Sequence, residues 1–150
     1  MKIDIIAEDA KGHDILIGLI RPTTLTEVEA ISLLADLAVL RETQFPVRYG
    51  LVGDLRELRI TDFEQPVASG FNCVLNTVDV LSRYDPEFGD KTIFRRYLTT
   101  LVEGWMRDVA YRWNSKEPPA LDVISRIGLA QALDDGDTRS EVLIETDSVY

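Results

Sequence analysis

The sequence is short of most features that mark a named chemistry. It holds one cysteine, Cys73, and one histidine, His13, in 150 residues. A single cysteine excludes an internal disulfide and agrees with a reducing, cytoplasmic address. Unbroken apolar runs reach only about four residues, far below the roughly 20 that a membrane-spanning helix needs. Asp4, Glu8 and Asp9 lie within the first ten residues, where a secretory signal would need an apolar core. The glycine-rich, His-rich and Cys-rich signatures GxGxxG, P-loop, HExxH, CxxC and GxSxG are all missing. There is no internal repeat, low-complexity tract or Gly/Ser linker, so one domain spanning 1–150 is expected, with a short acidic segment from about 134.

Positive charge is also scarce: 16 basic residues face 26 acidic ones, for a net charge of -10. An acidic surface repels phosphate backbones and anionic lipid, so nucleic acid and membrane are not expected partners. The same field steers a basic protein partner toward the chain. Charge is unevenly spread. Residues 91 to 116 carry six basic side chains against Glu103 and Asp108, whereas residues 134 to 150 carry six acids against Arg139 alone. The acidic end either docks on the basic segment or faces a partner.

What is present is the composition of a globular domain, 45% apolar and 28% charged. Such a chain buries roughly two-thirds of its unfolded surface without a disulfide or metal. Alternation at Ile3 and Ile5, and at Ile15, Ile17 and Leu19, predicts an N-terminal hairpin turning through Asp9 to Gly12. Apolar Ile6, Leu16 and Ile20 on the opposite strand face predict cover on both sides. Thr24 with Glu27 forms a candidate capping box for a helix of about 18 residues. Val28, Ile31, Leu34, Ala35, Ala38 and Val39 share one face of that helix, and Leu33, Leu37 and Leu40 hold much of the other. A helix so apolar around its girth is expected to lie centrally in the domain or to pair in a homodimer.

A second hairpin is predicted from 47–52 and 55–60 around Gly53-Asp54, with Arg48, Arg56 and Arg59 compensated by neighbouring acids. The spacing of Phe71, Val74, Leu75, Val78 and Leu81 predicts a helix within 67–84. Asp90 is placed to cap a helix whose core face is Phe94, Leu98, Leu101, Val102, Trp105, Val109 and Trp113. Another helix is expected from about Pro119 to Leu133, then an edge strand over Glu141–Glu145. The class is α+β: two antiparallel hairpins and a C-terminal edge strand against three to four helices.

Carboxylates are the only abundant chemical groups. The run Asp134, Asp135, Asp137 and Glu141 lacks the alternate-position ligands and sixth-position glycine of a calcium loop. Asp85, Glu87 and Asp90 are explained by turn and cap roles, and Trp105 and Trp113 by core packing. A Cys73–His13 pair requires the fold to bring a hairpin turn to the cysteine. No catalytic, cofactor or metal site is therefore assigned, and a non-enzymatic role is expected. The leading expectation is an acidic binding protein that masks or escorts a basic protein partner, in the manner of bacterial immunity proteins or secretion chaperones. Asp134, Asp135, Asp137, Glu141 and Glu145 are its expected partner-binding residues. A structural subunit of a phage or secretion machine, and a small carboxylate-dependent enzyme, are the alternatives.

Overall fold

The computed structural model describes residues 2–114 and 116–143, the stretch 141–143 through its backbone alone. Its strands β1 (Lys2–Glu8) and β2 (Asp14–Ile20) form the expected antiparallel hairpin. Asp9 closes the turn by accepting the Lys11 and His13 amides at 2.9 Å each, and Gly12 supplies a φ of 81°.

Helix α1 (Glu27–Thr43) starts on a capping box between Thr26 and Glu29, two residues after the Thr24–Glu27 pair that the sequence offers equally well. A tertiary contact decides between them. The Leu25 amide donates to the Asp54 carboxylate at 2.8 Å, which holds residue 25 outside the helix. From α1 the chain enters β3 (Tyr49–Gly53), which runs parallel to β2, and returns through β4 (Glu57–Asp62) as the second hairpin. The parallel pair needs a crossover, and α1 is that crossover.

The helix expected within 67–84 is mostly not formed. Instead β5 (Cys73–Asn76) pairs antiparallel with β4, and only α2 (Thr77–Leu81) is helical. Asn72 explains the change. Its side chain accepts the Asp62 amide at 2.7 Å and donates to the Gln65 carbonyl at 2.7 Å, fixing an extended entry to β5. Asn76 then ends the strand by capping α2 through the Asp79 amide.

Asp90 closes a single 3-10 turn (Phe88–Asp90) and does not cap the next helix. Helix α3 (Arg95–Tyr111) opens at Phe94, which is 73% exposed. Its middle follows the predicted stripe, with Leu98, Leu101, Val102, Trp105 and Val109 buried. Trp113 departs from it. Arg112 takes φ 57° and ends the helix, and the Trp113 indole folds back to donate to the Gly104 carbonyl at 3.0 Å. The single helix expected over 119–133 is two, α4 (Leu121–Arg126) and α5 (Leu129–Leu133), broken at Gly128 with φ 83°. The Tyr49 hydroxyl donates to the Ile127 carbonyl at 2.6 Å, beside this break.

The last strand, β6 (Asp137–Leu143), begins four residues before the expected 141–145 segment, because Asp137 to Ser140 already pair with β1. The six-stranded mixed sheet has the order β5-β4-β3-β2-β1-β6, so β6 is an edge strand as predicted. Both sheet faces are covered. Ile17, Leu19 and Val52 pack on Ala30, Leu37 and Leu40 of α1. Leu16, Ile20, Leu51, Leu58 and Ile60 join the core built by α2 to α5, with Trp105 inside it. The architecture is α+β.

Candidate functional site

The fold does not bring the lone histidine and cysteine together. Cys73 lies on the edge strand β5, whereas His13 lies in the β1–β2 turn, three strand spacings or about 14 Å across the sheet. Burial pushes the Cys73 thiol up, which suppresses the thiolate a nucleophile needs. Asp85 does not stand open to a cation either. Its carboxylate meets Lys91 Nζ at 2.7 Å, accepts from the Tyr97 hydroxyl and accepts the Glu87 amide. Lys91 first and Tyr97 second hold it below its usual range. Tyr84 donates to buried Asp108 at 2.7 Å, and burial together with that bond pushes its phenol up. These are closed polar pairs that fix α3 to its surroundings. Among the described residues, no cluster of three or more His, Cys, Asp or Glu groups is placed to hold a metal.

The tryptophans are not a ligand stack. Trp105 is buried and donates to the Pro119 carbonyl at 2.8 Å, tying α3 to the start of α4. Trp113 is 57% exposed and rests against Tyr84, with ring centroids 5.8 Å apart. Two of the three arginines of the second hairpin are compensated as expected, whereas exposed Arg56 makes no ion pair among the described residues. Arg48 makes a two-point contact with Asp62, at 3.1 and 2.9 Å, and Arg59 pairs with Asp54 and Glu57.

The predicted acidic residues sit at the α5–β6 turn. Asp134, Asp135 and Asp137 are exposed there. Asp135 adopts φ 56°, a left-handed conformation that Asp tolerates better than most residues. Asp137 is partly used inside the molecule, 3.6 Å from Arg107 Nε on α3. Among the described residues the acidic segment makes this one ion pair with the basic helix, and the Asp135 amide also donates to the Ala110 carbonyl at 3.3 Å and the Thr138 hydroxyl to Glu103 at 3.0 Å, while the Asp134 and Asp135 side chains are exposed. The Glu141 side chain and the whole of Glu145 lie outside the described residues.

A second surface was not assigned from sequence. Helix α1 buries Ala30, Leu37 and Leu40 with Leu33 half-buried; of the predicted broad face, Leu34 and Ala38 are half-buried, Ile31 borders the β4–β5 side, and Val28, Ala35 and Val39 point the other way. At 100° per residue these three fall within about 40° of one line, opposite the buried side. Val28 is 79% and Val39 58% exposed. The expectation of a helix central in the domain is thus corrected: α1 lies on the surface, with one face unpartnered among the described residues. Acids rim that face. Among the described residues, no ion pair engages Glu27, Asp36 or Glu42. The one basic residue of α1, Arg41, turns inward to the Val47 carbonyl at 2.8 Å and lies over the Phe63 ring. The outward charge of α1 is therefore wholly negative. The signal was in the sequence, as two apolar faces on one helix, but nothing there said which face the sheet would take.

The chain matches no protein-family model, no curated protein and no solved structure.

Proposed function

We propose that the protein is a non-catalytic acidic binder that masks or escorts a basic protein partner, using the outer face of α1 as its anchor. The observation that carries this reading is the combination, on one helix, of exposed Val28, Ala35 and Val39 with Glu27, Asp36 and Glu42, which make no ion pair among the described residues. Apolar side chains that lose water at the centre of an interface supply lifetime. Acids around them supply encounter rate and reject acidic partners. Asp134 and Asp135 add to the steering field from the α5–β6 turn. A second copy of this chain fits the same face less well, because its acids would meet identical acids.

The test is affinity capture from the native host lysate with the intact chain and two variants. One variant is Val28→Ser with Val39→Ser, and the other is Asp36→Lys with Glu42→Lys. The reading requires one stoichiometric basic protein on the intact chain, released by salt and lost from both variants. A light-scattering mass of two chains, returned to one by the valine variant, would instead assign the face to self-association. Recovery of the bait alone as a single chain would overturn the binder reading.

A further inference from the structure

We infer that the cleft between the start of α1 and the outer strands β4 and β5 binds a small monocarboxylate that carries an apolar body. The cleft is a cavity of about 420 Å³, within the usual size of small-molecule sites. Leu25, Ala30, Ile31, Phe71 and Val74 give it an apolar wall, and Arg59 of β4 lines it beside them.

Two independent features ask for an anion there. The first is Arg59 itself, only 5% exposed. Its Nη2 donates to Asp54 at 3.2 Å and to Glu57 at 3.0 Å, whereas Nη1 is closed from water and has no hydrogen-bond partner among the described residues. A buried guanidinium N–H without an acceptor is costly, and a carboxylate is the acceptor whose geometry matches it. The second is the N-terminus of α1, which opens on the same cavity through Thr24, Leu25, Thr26 and Glu27. The capping box engages the Thr26 and Glu29 amides, and the Ala30 amide donates to the Thr26 carbonyl. The Glu27 and Val28 amides have no partner among the described residues. Free first-turn amides at the positive end of a helix form an anion site.

The remaining lining narrows the ligand class. Glu27 and Glu57 border the cavity together with Arg56 and Arg59, a balanced set that suits one negative charge better than the two of phosphate. The apolar wall favours a hydrocarbon attached to the charge. Glu57 is the built-in competitor: its carboxylate already holds Arg59 Nη2, and its side chain is 43% exposed. Binding draws Glu57 aside, and the ligand carboxylate takes its place against the Arg59 guanidinium. No bond is made or broken, so the site is one of recognition. Its location at the base of α1 places it next to the proposed partner face, with which it shares Glu27 and Val28.

The test is an NMR titration of the intact chain with sodium octanoate, octanamide and inorganic phosphate as separate probes. Octanoate is expected to shift the Glu27 and Val28 amides and the Arg59 guanidinium signals. Octanamide, which keeps the shape and loses the charge, is expected to bind about tenfold more weakly. Glu57→Gln weakens the internal competitor and should tighten octanoate binding by about threefold. Arg59 is buried against Asp54 and its replacement risks unfolding, so the blocking variant is Ile31→Asp at the cavity wall, which should abolish the shifts while circular dichroism is unchanged. Equal affinity for octanoate and octanamide, tighter binding of phosphate, or octanoate shifts confined to other residues would each overturn the assignment. So would the absence of any octanoate-dependent shift. None of these outcomes depends on whether a protein partner is captured on α1.

Discussion

Arg59 and Asp54 form an ion pair at 3.2 Å between a guanidinium 5% exposed and a carboxylate fully withdrawn from water. The same carboxylate accepts the amides of Leu25, Arg56 and Glu57 at 2.8, 2.7 and 2.8 Å. One side chain thus shapes the β3–β4 turn, neutralises β4 and fixes where α1 begins. Removing it would leave buried Arg59 with Glu57 as its remaining partner and three part-buried amides without an acceptor. Asp54→Ala is expected to cost about 3–5 kcal/mol of stability, the range for breaking a buried pair. Urea unfolding followed by circular dichroism measures this, and a loss below about 1 kcal/mol would show that water replaces the carboxylate.

The same residue predicts an acid dependence. Burial alone would raise the Asp54 carboxyl, but the three amides and Arg59 outweigh it and leave it below the ordinary 3.8. A folded-state value below the unfolded one stabilises the fold fully above the ordinary value. That contribution is lost as pH falls from about 4 through the lower folded value. Asp54→Asn should therefore flatten the stability profile below pH 4 relative to the unaltered chain. Asp85, held low by Lys91 and Tyr97, contributes in the same direction, so some slope will persist.

Two glycines should respond differently to alanine. At Gly136 an added Cβ would lie 1.9 Å from the Glu8 carbonyl oxygen, so β6 could not keep its place on β1. Gly136→Ala is expected to cost about 3 kcal/mol and to expose the β1 edge, seen as faster amide exchange in Lys2–Glu8. At Gly12 the space is open and only the positive φ objects, so Gly12→Ala should cost about 1–2 kcal/mol.

The two faces of α1 should separate stability from binding. Val28→Ser with Val39→Ser is expected to change unfolding by about 0.5 kcal/mol or less, because both side chains are already in water. Leu37→Ala, on the opposite face and buried, should cost about 2–5 kcal/mol. A large loss from the valine variant would show that this face is covered within the fold.

Charge at the α5–β6 turn should act on association rate. Asp134→Lys with Asp135→Asn removes two exposed acids and keeps a residue at 135 that accepts its φ of 56°. Stopped-flow association with the captured partner should slow, and its dependence on ionic strength should weaken, with dissociation nearly unchanged. An unaltered rate and salt slope would remove this turn from the proposed interface.

Much of the fold was legible in the sequence because its signals are local. Alternation gave the β1–β2 and β3–β4 hairpins, the 3.6-residue period gave α1 and the centre of α3, and the count of carboxylates set the sign of the surface field. Where local signals tied, tertiary contacts decided. Two capping boxes overlap at the start of α1, and Asp54 chose one by holding the Leu25 amide. Helical spacing over 71–81 competed with β pairing, and Asn72 settled it through Asp62 and Gln65, partners outside that helical window. The candidate surfaces divide in the same way. Sequence alone determined that the chain is acidic, that its acids cluster near 134–137 and that α1 is apolar on two sides. Only the tertiary structure decided that Leu37 and Leu40 face the sheet, leaving Val28 and Val39 outward, and that Arg59 meets the first turn of α1 across one cavity. The physical reason is that periodicity assigns residues to a face, whereas which face is buried, and which charges meet, depends on elements far apart in the chain.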